Sequence, residues 1–332
     1  MSVRQLDPPA LPRGERRSRR DRHLLALSGG GYRGLFTASV LAEAEQISGR
    51  PLASRFDMIA GTSIGGILAI ALACEVSAQD LVALMLEHGS TIFKPRRLSF
   101  SGISQSHYDS AGLRRTIELV LGHEKARRPF SQIPVPLVVT AVHERSSRPH
   151  IFRTDLASNG KGDAVSTIDV ALATSAAPTF FPPHSIDGET YVDGGLAANA
   201  PDVVLLTEAM RLFACSLAEC QLLSIGSAGL PRAGSVNGAP GKIGWVVRHA
   251  LVDLLMSAQE ALAIDQVRIL RPGGFLRVDE TPPTKIILDD VKPATSQLLI
   301  ALAQRACASA QSERATEWRR FMAHISSRGA AT

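Results

Sequence analysis

Two glycine-rich segments of this 332-residue chain carry the side chains and backbone best able to do chemistry. The segment GTSIGG, residues 61–66, sets Gly61, Ser63 and Gly65 in the G-x-S-x-G spacing of a nucleophile elbow. A serine on a sharp strand-to-helix turn projects its hydroxyl into the open, and the turn needs positions without side chains on either side. The helix that follows aims its N-terminal dipole and free N–H groups at the same place, where they favour developing negative charge. The chemistry this arrangement serves is nucleophilic attack on an acyl carbonyl.

The earlier segment, SGGGYRG over residues 28–34, has two readings. Gly29, Gly31 and Gly34 fit the G-x-G-x-x-G turn that cradles a dinucleotide phosphate. The same backbone could instead offer N–H groups to an oxyanion. A dinucleotide site needs an acidic residue at the far end of the second strand, about 20 positions on. Asp57 stands 23 residues after Gly34, but it opens the run FDMIAG, and the end of that run belongs to Ser63 and its glycines. Position, rather than count, argues against the nucleotide reading.

A nucleophilic serine needs a base. His249 and His324 lie in helical stretches, His184 sits in a loop that precedes the aspartate, and His107 and His143 have no supporting context. Asp193, in YVDGGLAANAP, ends a short β-like run, with Gly194 and Gly195 letting the backbone bend away. Burial could raise its carboxylate from about 3.9 toward a working pH and let it accept the serine proton directly. From the residues alone, Asp-Gly-Gly is equally readable as a turn and nothing more.

The elements that must hold these groups alternate strand-like and helical runs, which predicts an α/β layered fold in one domain. HLLALS (23–28) reads as a first strand and residues 35–48 as an amphipathic helix. FDMIAG reads as a second strand, and Ile64 to Glu75 as a helix apolar nearly all round, hence buried. VPLVVTAVHE, ETYVDGG and CQLLSIGSAG read as strands. Residues 166–177 read as a helix opened by Ser166, with another from about Pro201, a long one over 242–270 and a helical C-terminus. Residues 93–112 lack periodicity and read as a long loop or lid. Within it FKPRRLSF places Lys94, Arg96 and Arg97 beside Phe93 and Phe100, a candidate contact for a nucleotide or a lipid headgroup.

With 45% hydrophobic and 20% charged residues the chain buries a substantial core, which excludes a disordered class. The net charge of +5 suits anionic partners, nucleotides or a membrane surface among them. Much of that surplus sits in residues 1–22, a basic tail with seven Arg against three acids that reads as disordered. Arg16, Arg17, Arg19 and Arg20 would add attraction to an anionic leaflet. The tail is no signal peptide, because the apolar run after it is only five residues long and leads straight into glycines. No run approaches the ~18 apolar residues of a membrane span. Cys74, Cys215, Cys220 and Cys307 form no C-x-x-C pair and read as reduced core thiols of a cytoplasmic protein.

SGGGYRG, then GTSIGG, then DGG, in that order, resemble the patatin-like phospholipases, and ATSAAPTFFPP (173–183) and LLSIGSAG (222–229) extend the likeness over roughly residues 23–280. The resemblance implies a three-layer α/β/α fold around a mostly parallel sheet, spanning 23–332 with a helical C-terminal extension. It implies a dyad of Ser63 as nucleophile and Asp193 as general base, with no metal or cofactor for catalysis. Gly29, Gly30 and Gly31 would supply an oxyanion hole, with Arg33 and Gly34 completing that motif. Ser28 departs from the aspartate that plant members carry there. The opening segments look most like the patatin-type effectors of bacterial anti-phage (CBASS) systems. That narrower likeness implies a cyclic dinucleotide as allosteric activator, supplied by a partner nucleotidyltransferase, and membrane phospholipid as substrate at the inner face of the membrane. It also implies activation through ordering or homo-oligomer formation, with no DNA or RNA partner. An ungated esterase, thioesterase or peptidase on the same scaffold, or a silent nucleotide-binding protein, are the competing readings.

Overall fold

The computed structural model describes residues 20–94, 106–155, 165–229, 250–271 and 273–327. Among them eight strands form one sheet: β1 (Arg22–Leu27), β2 (Met58–Thr62), β3 (Leu137–His143), β4 (Arg148–Arg153), β5 (His184–Ile186), β6 (Glu189–Asp193), β7 (Cys220–Ile225) and β8 (Phe275–Val278). The helices are α1 (Gly34–Ser48), α2 (Ile64–Ala73), α3 (Ala78–Ile92), α4 (Ser110–Leu121), α5 (His123–Arg127), α6 (Thr167–Thr174), α7 (Gly195–Ala198), α8 (Asp202–Phe213), α9 (Ala250–Leu270), α10 (Pro293–Glu313) and α11 (Ala315–Ser327).

The strand order is β5-β6-β3-β2-β1-β7-β8, with β4 also on β3. From β3 to β8 the neighbours run parallel, while β4, β5 and β6 are antiparallel. Side chains alternate across a strand, and β1 shows what that requires of a central parallel strand. Leu25 and Leu27 enter one apolar cluster with α1, α2, α3 and α10, whereas Leu24 and Ala26 enter a second with α8 and α9. A strand covered on both faces must be apolar throughout, and the expected mostly parallel three-layer fold is the one that forms.

β3 does the positioning. β4 takes one of its edges along Val138–Arg153 to His143–Arg148. Along the other edge β2 pairs with Leu137–Thr140, and β6 takes over at Ala141–His143. Thr62 pairs with Thr140 and Asp193 with Ala141, so consecutive residues of β3 bring the end of β2 against the end of β6. Whatever follows Thr62 must meet Asp193. β6 is aimed there by a two-residue hairpin from β5, with both central residues, Asp187 (φ 51°) and Gly188 (φ 81°), left-handed as such a turn requires.

Several expectations change in detail. Arg22, at the end of the expected tail, already belongs to β1 and pairs with Asp57 at 3.6 Å, while residues 1–19 lie outside the described residues. Of the expected loop over 93–112, residues 95–105 lie outside, so Arg96, Arg97 and Phe100 do too, and α4 begins by Ser110 with Asp109 as its cap. Residues 242–249 of the expected long helix, His249 included, lie outside as well. Pro201 is the cap before α8 rather than its first residue, and short α7 precedes it. No helix among the described residues is long and apolar enough to cross a membrane.

Candidate active site

Ser63 stands between β2 and α2 at φ 55° and ψ −125°, a conformation costing a non-glycine residue about 1–3 kcal/mol. The turn is tight enough that a Cβ on Gly61 would strike the Gly65 carbonyl, and one on Gly65 the Leu27 carbonyl of β1. Thr174, at the end of α6, braces it: its Oγ1 accepts the Ser63 N–H at 2.9 Å, and its carbonyl accepts the Gly194 N–H at 3.2 Å. One buried threonine thus ties the serine turn to the Asp-Gly-Gly turn.

Ser63 Oγ donates to Asp193 Oδ2 at 2.6 Å. The other carboxylate oxygen accepts the Gly195 N–H at 2.7 Å, which fixes the orientation of the group. Asp193 is 2% exposed and has no cation against it among the described residues; burial pushes its pKa up to about 6, although the hydrogen bonds from Ser63 and Gly195 oppose the shift. At neutral pH such a carboxylate is mostly ionised yet holds a proton far better than an exposed aspartate, the property required of a general base. No histidine among the described residues touches this pair. His184 bonds Asp169 at 3.0 Å, His143 bonds Glu189 at 2.7 Å, the His107 N–H goes to Thr179, and His324 stacks on His23.

The glycine loop after β1 approaches the same serine, and the donors it can offer are fewer than expected. The Gly29 N–H is already spent on the Asn199 carbonyl at 3.0 Å, which corrects its place among the oxyanion donors. Gly29 serves close approach instead, since a Cβ there would strike Asn199 Oδ1. The Arg33 N–H goes to Gly30 O at 3.1 Å and the Gly34 N–H to the carbonyls of Gly31 and Tyr32, so neither of these is an oxyanion donor. Gly30 and Gly31 remain, and both line the pocket with Ser63.

Their peptides are gripped from behind. Ser227 Oγ donates to Gly29 O at 2.8 Å, and Arg33 Nε to Gly30 O at 3.3 Å. In a trans peptide the N–H points opposite to the C=O, so these grips aim the Gly30 and Gly31 N–H groups away from Ser227 and Arg33. Gly31 itself sits at φ 57°, where a Cβ would meet the Leu288 carbonyl. Arg33 is a buried guanidinium, pushed down by burial and held up by Glu260, Asp253 and Asp279.

The serine faces a largely apolar pocket. Beyond Ser63, Ser175, Asp193 and the glycine backbone, its walls are apolar: Ile64, Ile67, Met85, Phe180, Phe181 and Leu288 are typical. Phe93, expected in a basic surface loop, lines this pocket and lies edge-on to Tyr32 and Tyr108. The glycine loop also meets a charged cluster that the sequence did not announce. Arg277 donates to Asp279 at 2.7 Å, to Ser28 Oγ at 2.9 Å and to Ser224 Oγ at 2.8 Å, and pairs with Glu260 at 2.5 Å. All four cysteines are free thiols; Cys215 and Cys220 sit with their sulfurs 3.9 Å apart.

An apolar pocket opening on a buried serine suits a hydrolase of greasy acyl substrates. Comparison with known proteins agrees: the family model described as patatin-like phospholipase matches residues 25–205. A "cGAMP-activated phospholipase" of Pseudomonas aeruginosa is 40% identical over 268 residues, covering 78% of each chain. Proteins of the same name from Vibrio cholerae and Escherichia coli are 34% identical over 318 residues (85% of this chain, 88% of that one) and 38% over 227 (62% of each). The chain belongs to the patatin-like phospholipase family. It is a lipid acyl hydrolase.

Proposed function

We propose that this enzyme hydrolyses acyl esters of membrane glycerophospholipids through a Ser63–Asp193 dyad, and that a cyclic dinucleotide switches it on. The observation that carries the catalytic reading is the 2.6 Å hydrogen bond from Ser63 Oγ to a buried carboxylate at the head of an apolar pocket. The acyl chain lies along that pocket and presents its carbonyl to Ser63. As Oγ attacks, its proton passes to Asp193, and the tetrahedral oxyanion is held by the N–H groups of Gly30 and Gly31. Asp193 returns the proton to the leaving lysolipid oxygen as the C–O bond breaks. Water then attacks the acyl-serine with Asp193 again as base, releasing fatty acid and regenerating Ser63. Loss of one oxyanion donor costs about 2.7–4 kcal/mol of barrier in enzymes of this chemistry.

The gating reading rests on the relatives named as cGAMP-activated, which this chain matches over most of its length. A partner nucleotidyltransferase supplies the nucleotide, and the enzyme works at the inner face of the membrane as an anti-phage effector, by ordering or self-association once the nucleotide binds. The test is fatty-acid release from mixed phospholipid vesicles, with and without cGAMP, for wild type and Ser63→Ala. Release that needs both cGAMP and Ser63 is the expected result. Release that needs Ser63 alone would remove the gating, and rapid turnover of soluble esters with none from vesicles would replace the substrate.

A further inference from the structure

Asn199 lies six residues beyond Asp193 and is 2% exposed. Three of its polar groups are engaged, one with the glycine loop and two with neighbouring residues of α9. Its carbonyl accepts the Gly29 N–H at 3.0 Å. Its own N–H donates to Gln259 Oε1 at 2.7 Å, and its Nδ2 to Glu260 Oε2 at 2.7 Å. Gln259 Nε2 also donates to Leu196 O at 3.3 Å, in the short helix that follows the Asp193 turn. Glu260 pairs in addition with Arg277, and Arg277 reaches Ser28 Oγ at 2.9 Å. Two neighbouring residues of α9 therefore hold the glycine loop at two adjacent points, Gly29 through Asn199 and Ser28 through Arg277.

We propose that Gln259 and Glu260 are positioning residues for the hydrolase reaction. Acting through Asn199, they fix the Ser28–Gly29 peptide, and with it the run of peptides that presents the Gly30 and Gly31 N–H groups to the oxyanion. In this role neither side chain touches a reacting atom. The proposal rests on the reading of those two N–H groups as oxyanion donors. Preorganised donors act only where the charge develops, and a displacement of about 1 Å costs a reaction about 100-fold. A loop with glycine at three successive positions has little rigidity of its own, so its geometry must come from outside. α9 supplies it across some 230 residues of sequence (Gly29 to Gln259).

Gln259 is half-buried, so its replacement leaves the core intact. Gln259→Leu removes the acceptor for the Asn199 N–H at nearly constant size, and Gln259→Glu keeps one. The assay is turnover of p-nitrophenyl butyrate in the presence of cGAMP, normalised to the serine that reacts with a fluorophosphonate probe. We expect Gln259→Leu to lower kcat about 10- to 100-fold, with KM within about twofold and full probe stoichiometry reached more slowly. Gln259→Glu should recover most of the lost kcat. A purely structural role would lower the fraction of reactive serine and leave kcat per reactive serine unchanged. Wild-type kcat per reactive serine in Gln259→Leu overturns the positioning role while leaving the dyad standing. If wild type itself shows no turnover or labelling dependent on Ser63, the hydrolase reading fails and takes this proposal with it.

Discussion

Asp193 accepts a hydrogen bond from Ser63, the Glu260–Asp279 pair reaches the glycine loop through Arg277, and the protein treats these carboxylates in opposite ways. Glu260 and Asp279 share Arg277, whose guanidinium is 8% exposed and reaches both at hydrogen-bond distance. A third acid nearby, Asp202 at the start of α8, is fully buried; burial pushes it up and the Arg277 charge opposes the shift. Asp193 has no such neighbour among the described residues. Its carboxylate is held by one hydroxyl and one backbone N–H, and burial leaves it titrating near pH 6. The carboxylates that share Arg277 serve as a brace. An unneutralised carboxylate is costly to the fold and able to act as a base.

The largest effect follows from removing either half of the uncompensated pair. Ser63→Ala and Asp193→Asn should each lower kcat on phospholipid vesicles by at least about 10³-fold, as losses within a cooperating catalytic set do. Activity in Asp193→Asn within tenfold of wild type would show that another group takes the proton. The next effect belongs to the compensated side. Arg277→Met takes from Glu260 and Asp279 the guanidinium they share, while the charge of Arg33 still acts on both, and breaking such a pair costs about 3–5 kcal/mol. Urea unfolding should show a loss of that size. A loss below 1 kcal/mol would mean that solvent already screens the cluster and that it braces little.

This division between a base and a brace was only half legible in the sequence. Ser63 and Asp193 stand beside glycines at turns, and short-range motifs report such places. Their proximity, by contrast, depends on β3 pairing with β2 at Thr140 and with β6 at Ala141, a register that no local pattern encodes. The spending of the Gly29 N–H on Asn199 is likewise invisible until the partner, 170 residues on, is in place. Thr174 and Ser227 lie in segments that extend the family likeness, but neither they nor Arg277 were singled out, and all three matter through bonds spanning 111, 198 and 249 residues. The central strands were readable because burial on both faces makes them continuously apolar. β4 was not: it lies at the edge with one side open, so Arg148, His150 and Arg153 interrupt its apolar pattern.

The same carboxylate also makes a prediction about stability, smaller than the Arg277 effect and opposite in sign. Asp193 binds its proton more tightly folded, near pH 6, than unfolded, near the ordinary aspartate value of 3.8. Folding is therefore penalised above pH 6, and the penalty fades as pH falls toward 4. Asp193→Asn removes it and should stabilise the fold by about 1–3 kcal/mol at pH 8, since each pKa unit is worth about 1.4 kcal/mol. At pH 4 the gain should be nearly gone. A gain independent of pH would assign it to packing rather than to charge.

The smallest effect tests the comparison most directly, by giving Asp193 the cation it lacks. If its ionised form is the base, kcat/KM for a soluble ester should rise with pH along an acid limb centred near pH 6, falling about tenfold per unit below it. Met256 lines the pocket with Asp193, and its methyl lies against Gly195. Met256→Lys would bring an ammonium close to the carboxylate, and an opposite charge within about 4–6 Å lowers a carboxyl pKa by about 1–3 units. The acid limb should move down by about one unit, partial exposure of the lysine limiting the shift. The plateau rate should fall as well, because a weaker base takes the serine proton less readily. An acid limb that stays near pH 6 in this variant would mean that some group other than Asp193 sets it. A limb that moves down while the plateau rate holds would separate the ionisation of Asp193 from its strength as a base, and leave the missing cation without a catalytic reason.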